Sequence, residues 1–136
     1  MSDCIFCKII AGEIPSATIY ENEECKVILD RFPAAEGHML ILPKNHTPNL
    51  FEIDPEQAGR LFTLAAKIAR EVKEELGLEH MNVLQNNGTV AGQTVFHFHI
   101  HLIPRREGDG IKMGWKPMEL ADEQIAAMQA RLEKVL

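Results

Sequence analysis

The spacing of apolar residues along the chain predicts three helical segments. From Asp54 to Leu76, apolar side chains recur every three or four positions, which places them on one face of a long α-helix. Proline follows the first residue of this segment and Gly77 follows the last, as is typical of helix starts and ends. Similar but shorter patterns predict an amphipathic helix from Ala121 to Leu136 and one or two helical turns from Ile5 to Ala11.

Short apolar runs bounded by turn residues predict five strands. These strands cover Thr18–Tyr20, Cys25–Leu29, Gly37–Leu42, Met81–Gln85 and Val95–Ile103. Because strands outnumber helices and short turns join most of them, we expect an antiparallel sheet with helices packed on a face, the α+β class. No repeat or linker interrupts the pattern, so we expect one domain over residues 1–136.

The balance of charges narrows the classes of partner. The chain has 14 Lys and Arg against 20 Asp and Glu, a formal net charge of −6. That argues against a polynucleotide-binding protein and against a polybasic membrane anchor, since both need basic patches. A single nucleotide remains possible, because a small phosphate group can be bound without a large positive field.

The cysteines and the chain start bear on the cellular compartment. Three cysteines are too few, and an odd number, for a disulfide framework. We see neither a signal-peptide pattern at the start nor an apolar stretch near the roughly 20 residues of a membrane helix. We therefore expect a protein of the reducing cytoplasm.

One long stretch of the chain is free of charged residues. Residues 80–104 contain no Asp, Glu, Lys or Arg, although about six would be expected in a stretch of this length. Two central strands would explain part of this pattern, because buried strands carry few charges. They do not explain why the polar residues here are mostly neutral hydrogen-bonding types.

Three histidines alternate with apolar residues inside this stretch. Successive strand side chains point to opposite faces, so His97, His99 and His101 are expected to share one face. The other face would carry Phe98, Ile100 and Leu102 into the core. Three interpretations remain open: a solvated strand face, a zinc-binding cluster, or a row of neutral imidazoles that serves a reaction.

The loop before the histidines is a candidate phosphate site. Residues 86–94 are rich in Asn, Gly, Gln and Thr. Their backbone N–H groups, amides and hydroxyls could donate to phosphate oxygens without a fixed positive charge. Most loops of this composition are simply turns, so the loop gains meaning only beside the histidines.

A Cys-x₂-Cys pair lies near the start of the chain. Cys4 and Cys7 could be half of a zinc site or a redox pair. Redox pairs usually lie between a strand and a helix, and no strand is predicted before this pair. Cys25 falls in a strand pattern and is expected to be buried as a small apolar residue.

The motif from His97 to Ile103 resembles the histidine triad (HIT) signature at every position. Further motifs match the family in the same order: Ile5–Ile10, Glu13–Pro15, Asp30, Gly37–His38, Pro43–His46 and Gly92–Val95. The resemblance covers about residues 4–104, leaves 105–136 as a C-terminal extension, and is closest to the Hint-like branch in its bacterial form. It implies a HIT-like fold with a five-stranded sheet that extends across a homodimer.

The resemblance also implies an activity. It points to a hydrolase that cleaves the α-phosphate bond of purine nucleoside phosphoramidates through a nucleotidyl-histidine formed on His99. The implied catalytic residues are His99, His101 and His38. The implied nucleotide contacts are Asp30 for the ribose, Asn86, Gly92, Gln93 and Thr94 for the phosphate and leaving group, and Ile5, Phe6, Ile9 and Ile28 for the base. The alternatives are a dinucleoside polyphosphate hydrolase and a non-enzymatic nucleotide-binding or zinc-binding scaffold.

The same resemblance suggests a structural zinc ion and a self-association surface. Its implied ligands are Cys4, Cys7, His46 and His97, a closed Cys₂His₂ set with no role in the chemical step. Trp115 resembles an aromatic residue placed near the partner's site. The expected partners are therefore a purine nucleotide and a second copy of the chain, with no polynucleotide and no membrane.

Overall fold

The computed structural model describes residues 3–136, which form three helices and five strands in that range. The helices are α1 (Ile5–Ile10), α2 (Pro55–Leu76) and α3 (Asp122–Glu133). The strands are β1 (Thr18–Glu21), β2 (Cys25–Leu29), β3 (Met39–Pro43), β4 (His80–Leu84) and β5 (Ile100–Arg105). Within the described residues, no helix is both long enough and apolar enough to cross a membrane.

The five strands form one open antiparallel sheet in the order β1-β2-β3-β5-β4. This confirms the predicted α+β class with a five-stranded antiparallel sheet. β3 and β5 lie side by side in the middle, with Leu40 opposite His101 and Ile41 opposite Ile100. The centre of the sheet therefore brings together the segments that begin near His38 and near His99.

Helix α2 covers one face of the sheet. Asp54 caps its first turn by accepting a hydrogen bond from the N–H of Glu56, and Gly77 ends it in the left-handed conformation with a φ of 62°. Leu61, with no exposed surface, and Ala65 pack from the helix against the sheet. The strand residues of this core include Val27, Ile41, Phe98, Ile100 and Leu102.

The opposite face carries a second, smaller core that contains helix α1. Its buried members are Phe6, Ile9, Ile28, Leu40 and Leu42. Strand alternation explains the division, since Met39 and Ile41 of β3 face α2, whereas the residues between and after them face α1. The histidine side chains lie on this second face beside Phe6.

The predicted strand Val95–Ile103 was wrong at its start, because β5 begins at Ile100. The alternation correctly predicts that Phe98, Ile100 and Leu102 enter the core, although His97 and His99 on the other face are buried as well. The backbone of residues 95–99 does not join the sheet ladder. The N–H of Phe98 donates instead to the carbonyl of Thr47 at 2.7 Å. Apolar alternation reports which way side chains point, and it does not report which backbone partner is used.

Helix α3 buries none of its side chains against the rest of the described residues. All of its residues are exposed, including Ile125, Met128 and Leu132 on its apolar side. The segment before it also exposes large apolar side chains, with Trp115 at 88%. The amphipathic pattern that predicts this helix therefore describes a face without a partner inside the described chain.

Candidate active site

Four histidines cluster where β3 and β5 begin. His38 immediately precedes β3, and His101 lies in β5 opposite Leu40. The ring centroids are 4.9 Å apart for His99 and His101, and 5.1 Å apart for His38 and His101. His97 completes the triad on the same face, where its ring contacts that of Phe6.

His99 presents one unprotonated ring nitrogen to the site. Its Nδ1 lies 2.7 Å from the carbonyl oxygen of His97, and a carbonyl can only accept, so Nδ1 carries the proton and donates it. The lone pair of the neutral ring is then on Nε2, which has no hydrogen-bond partner among the described residues. Burial lowers the pKa of His99, so the ring is neutral near pH 7.

His38 fixes the proton position on His101. The N–H of Ala34 donates to Nδ1 of His38 at 3.0 Å, so the proton of the neutral His38 ring is on Nε2. That Nε2–H donates to Nδ1 of His101 at 2.9 Å. His101 therefore carries its own proton on Nε2, where it is available to a ligand.

Both rings of this pair are neutral in the folded protein. Burial is the main cause that lowers the pKa of His38, and the nearby Asp30 only partly opposes it. Burial also lowers the pKa of His101 to about 4. The 3.5 Å approach of Nε2 of His38 to the Asp30 carboxylate is therefore a contact of a neutral imidazole, not an ion pair at pH 7.

Asp30 lies at the end of β2 and faces the histidines. Its Oδ1 accepts from the N–H of Phe32 at 2.9 Å, and its own N–H donates to the carbonyl of His38 at 2.8 Å. These bonds fix the carboxylate beside His38 and leave Oδ2 as an acceptor at the edge of the site. Such a carboxylate can accept from the two hydroxyls of a ribose.

A second cluster brings together the four predicted metal ligands. Their donor atoms, from Cys4, Cys7, His46 and His97, all lie within 4.8 Å of one another. Nδ1 of His97 is 3.5 Å from Sγ of Cys4, 3.6 Å from Sγ of Cys7 and 3.2 Å from Nδ1 of His46. Sγ of Cys7 is 3.4 Å from Nδ1 of His46.

These distances fit a tetrahedral zinc ion. Bond lengths of about 2.0–2.3 Å to nitrogen and sulfur give ligand separations of about 3.3–3.8 Å. The ring of His97 is oriented for this role, because its Nε2–H donates to the carbonyl of Pro43 at 2.8 Å and leaves Nδ1 as the lone pair. Four protein ligands would leave no open position, so a zinc ion held here would stabilise the structure and would not activate water.

Gln93 in the loop 86–94 is bonded within the protein. It is 2% exposed, its amide donates to the carbonyls of Pro48 and Val95, and its Oε1 accepts from the N–H of Gly88. The N–H groups of residues 91–93 also bond inside this loop. Several neutral amides of the charge-free stretch therefore shape the loop, which explains part of its composition.

Asn86, Gly92 and Thr94 remain as candidate phosphate contacts. The amide of Asn86 and the hydroxyl of Thr94 have no hydrogen-bond partner among the described residues. Gly92 has a φ of 97°, and a Cβ built on it would lie 3.4 Å from Nδ2 of Asn86. A side chain at position 92 would therefore strain the backbone and crowd the amide.

The four residues predicted to contact the base do not share one environment. Phe6, Ile9 and Ile28 are buried together in the second core, whereas Ile5 is 46% exposed. Ile5 borders a surface cleft on the cluster side of the sheet. The cleft is lined by Asp3, Cys4, Ile5, His46, Thr94, Val95 and Phe96.

Three main-chain groups of this site could not be predicted from residue types. The N–H of Ala34 and the carbonyls of Pro43 and Thr47 hold His38, His97 and Phe98, respectively. Every residue type offers such groups, so no sequence signal marks them. The segment Pro43–His46 resembles a family motif, but its residue types do not indicate that the carbonyl of Pro43 accepts from a histidine ring.

Comparison with known proteins adds the family to this geometry. The HIT domain family matches residues 11–108 of the chain. The chain belongs to the HIT family. Among curated HIT proteins, "Protein hit" of Bacillus subtilis is 48% identical over 115 residues, which cover 84% of this chain and 79% of that protein.

Two further relatives have names that describe an activity. "Adenosine 5'-monophosphoramidase HNT1" of Saccharomyces cerevisiae is 42% identical over 130 residues, 95% of this chain and 80% of that protein. "Adenylylsulfatase HINT3" of Arabidopsis thaliana is 44% identical over 108 residues, 79% of this chain and 55% of that protein.

Solved structures share the architecture of this chain. The crystal structure of SMU.412c from Streptococcus mutans has a TM-score of 0.93 at 39% identity and covers 98% of this chain and 85% of that one. A "ZN-bound histidine triad family protein" from Mycobacterium smegmatis has a TM-score of 0.78 at 36% identity and covers 99% of both chains.

Proposed function

We propose that this HIT protein hydrolyses adenosine 5'-phosphoramidates at the α-phosphorus through a nucleotidyl-His99 intermediate. The observation that carries the proposal is the proton arrangement of His99, whose Nδ1–H is held by the carbonyl of His97 so that Nε2 is the free lone pair. A neutral imidazole held in this way is a nucleophile at pH 7. Family membership and the name of the yeast relative support the substrate class.

The names of two relatives share one chemical group. A monophosphoramidase of adenosine and an adenylylsulfatase both act on an adenylyl group, and their substrates differ in the group that leaves. An enzyme that recognises adenylate and tolerates different leaving groups would fit both names. We therefore assign the adenylyl phosphate, and not the leaving group, to the histidine site.

The reaction divides into two displacements. Nε2 of His99 forms a bond to phosphorus while the bond from phosphorus to the leaving nitrogen breaks, and that nitrogen departs with a proton taken from solvent. Water then attacks phosphorus, the bond to Nε2 breaks, and AMP leaves while the water protons pass to solvent. The ring of His99 keeps its Nδ1–H throughout and returns to its starting state.

Other residues would hold the nucleotide during both steps. The Nε2–H of His101, the amide of Asn86 and the hydroxyl of Thr94 are donors for the phosphoryl oxygens, where negative charge grows in the transition state. Oδ2 of Asp30 would accept from the ribose hydroxyls. Ile5 at the cleft offers an apolar contact to a purine base.

Incubation with adenosine 5'-phosphoramidate tests the proposal. We expect release of AMP, and a covalent AMP group on His99 after quenching in alkali, since phosphorus–imidazole bonds are labile in acid. His99→Ala should lower kcat by at least about 10³-fold, because the covalent route is lost. His80→Ala alters an exposed histidine outside the site and should leave kcat unchanged.

The same assay separates the alternatives. Faster turnover of a diadenosine polyphosphate would favour dinucleoside polyphosphate hydrolysis with the same residues. Tight AMP binding without turnover, or turnover that survives in His99→Ala, would refute the proposed mechanism. Tight AMP binding without turnover would favour a non-enzymatic nucleotide-binding or scaffold protein.

We also propose that the protein binds one structural zinc ion per chain and works as a homodimer in the cytoplasm. The donor geometry at Cys4, Cys7, His46 and His97, together with a zinc-bound HIT neighbour, supports the metal. The exposed apolar segment from Met113 to Leu136 supports a second copy as partner. Measurement of zinc content tests the metal, and measurement of the mass in solution tests the homodimer.

A further inference from the structure

One short segment connects the metal-ligand cluster to the proposed nucleophile. His97 takes part in both sites, because its Nδ1 faces Cys4, Cys7 and His46 while its carbonyl accepts from Nδ1–H of His99. The ring that would bind the metal and the carbonyl that orients the nucleophile thus belong to the same residue. A shift of the His97 backbone would therefore alter the hydrogen bond of His99.

The sheet ladder is interrupted where this segment begins. β3 and β5 pair at Met39–Leu102, Leu40–His101 and Ile41–Ile100. In the same register, His99 and Phe98 would next face Leu42 and Pro43. Instead, the N–H of Phe98 donates to Thr47 at 2.7 Å, and the ring of His97 donates to Pro43 at 2.8 Å.

The interruption leaves the carbonyl of His97 free for a side chain. In a regular antiparallel ladder, backbone carbonyls accept from backbone N–H groups of the neighbouring strand. Here the carbonyl of His97 accepts from the ring two residues later, at 2.7 Å. Residues 97–99 lie outside the ladder, and the hydrogen bond from the ring to this carbonyl sets the observed tautomer of His99.

We propose that the Cys4/Cys7/His46/His97 cluster positions His99, because it anchors residues 97–99 outside the ladder and keeps the His97 carbonyl on Nδ1–H of His99. Helix α1 supplies Cys7 and its cap Cys4, and the turn after β3 supplies His46, so the cluster ties His97 to two other parts of the chain. His97 is a positioning residue in this scheme.

The hydrogen bond to the His97 carbonyl decides which nitrogen of His99 can react, because a neutral imidazole has a lone pair on only one ring nitrogen. While the carbonyl of His97 holds Nδ1–H, Nε2 can attack phosphorus. Without that hydrogen bond the proton exchanges between both nitrogens, and in the Nε2–H form Nε2 has no lone pair with which to attack phosphorus. Only the effect on reaction rate rests on the proposed function; the effect on the tautomer does not.

The tautomer of His99 can be measured directly. We would label the full-length protein with ¹⁵N-histidine, load it with Zn²⁺, and assign ring protons to nitrogens from ¹H–¹⁵N correlations. Wild type and Cys25→Ala, which removes a thiol outside the cluster, should each bind one zinc ion and show Nδ1–H on His99. Cys4→Ser should bind less zinc and show both tautomers while its α2 core keeps its ¹H–¹⁵N spectrum.

Kinetics on the same samples provides a second measurement. Metal-free protein should lose about 10²-fold in kcat for adenosine 5'-phosphoramidate, as expected for a misplaced reacting group, with KM changed by less than about threefold. Chelation of wild type should reproduce the effect, and adding Zn²⁺ back should restore both kcat and the tautomer. This reversal does not depend on the folding of any variant.

Several results would overturn the positioning role. One is a wild-type protein that binds no zinc, and another is a folded metal-free protein that keeps Nδ1–H on His99. A third is a metal-free protein that unfolds, because the cluster would then stabilise the whole fold and not His99 in particular. If zinc-loaded wild type turned over no nucleotide, the proposed function would fail, and the tautomer would still decide the positioning role.

Discussion

The position of a single proton decides which nitrogen of a histidine donates and which accepts, and His38 sets this position for His101. The Nε2–H of His38 determines that His101 carries its proton on Nε2. His38→Leu removes that donor, so His101 should populate both tautomers and kcat should fall by about 100-fold. His38→Gln can place an amide N–H near the position of Nε2 and should retain kcat within about tenfold of wild type.

The measurement for this pair combines kinetics with ¹⁵N spectra of His101. The two substitutions remove the same ring and differ in whether a donor remains. Equal losses of kcat in both variants, with an unchanged proton position on His101, would show that His38 only fills space. A selective loss in His38→Leu would identify it as a positioning residue.

The pH dependence of stability is a second residue-scale prediction. The pKa of His101 is lowered by burial to about 4, against 6.5 in an unfolded chain. Between these values the unfolded chain binds a proton that the folded chain does not, so stability falls as pH falls from about 6.5 through 4. His101 alone should cost about 2 kcal/mol of unfolding free energy between pH 7 and pH 5.

Urea unfolding at the two pH values checks this prediction. His101→Gln removes the titrating group, so its loss of stability between pH 7 and pH 5 should be smaller than that of wild type by that amount. His80→Gln alters an exposed histidine and should behave as wild type. A wild-type protein that is equally stable at both values would contradict the buried, neutral state of His101.

At the scale of elements, the apolar periodicity of the sequence predicts where a helix lies, but it does not predict which groups pair by hydrogen bonds. Helix α2 occupies Pro55–Leu76 as its apolar stripe, Asp cap and Gly stop predict, because each of these signals acts within a few residues. The predicted start of β5 was wrong because the N–H of Phe98 donates to the carbonyl of Thr47, 51 positions earlier, and not to a neighbouring strand. Tautomers were equally unpredictable, since main-chain groups from other segments set them.

Helix α2 also gives a matched test of the core. Leu61 has no exposed surface and packs in the first core, whereas the next residue, Phe62, is 41% exposed. Leu61→Ala should lower the unfolding free energy by about 3 kcal/mol, because it leaves a cavity under the sheet. Phe62→Ala should cost about 1 kcal/mol or less, and equal costs in urea unfolding would contradict the packing described for α2.

At the scale of the whole molecule, the charge total and the site composition describe different regions. The net charge of −6 speaks against a polynucleotide, while the histidine site and its loop contain no charged residue between 80 and 104. The neutral amides of this stretch have two different roles. The side chain of Gln93 stabilises the loop by hydrogen bonds within the protein, whereas that of Asn86 is available to a ligand. A phosphate group would therefore meet imidazole, amide and hydroxyl donors.

The exposed apolar side of helix α3 predicts that two chains associate through it. Ile125 and Leu132 on α3 are 53% and 48% exposed, so burying the remaining apolar surface would stabilise association by about 1 kcal/mol each. We expect wild type to show twice the chain mass of 15.3 kDa in light scattering. Ile125→Glu with Leu132→Glu should weaken the dimer by at least about tenfold, whereas Ala127→Glu with Ala130→Glu, on the opposite side, should not. A monomeric wild type would refute the dimer, and equal effects of both pairs would refute this surface as its interface.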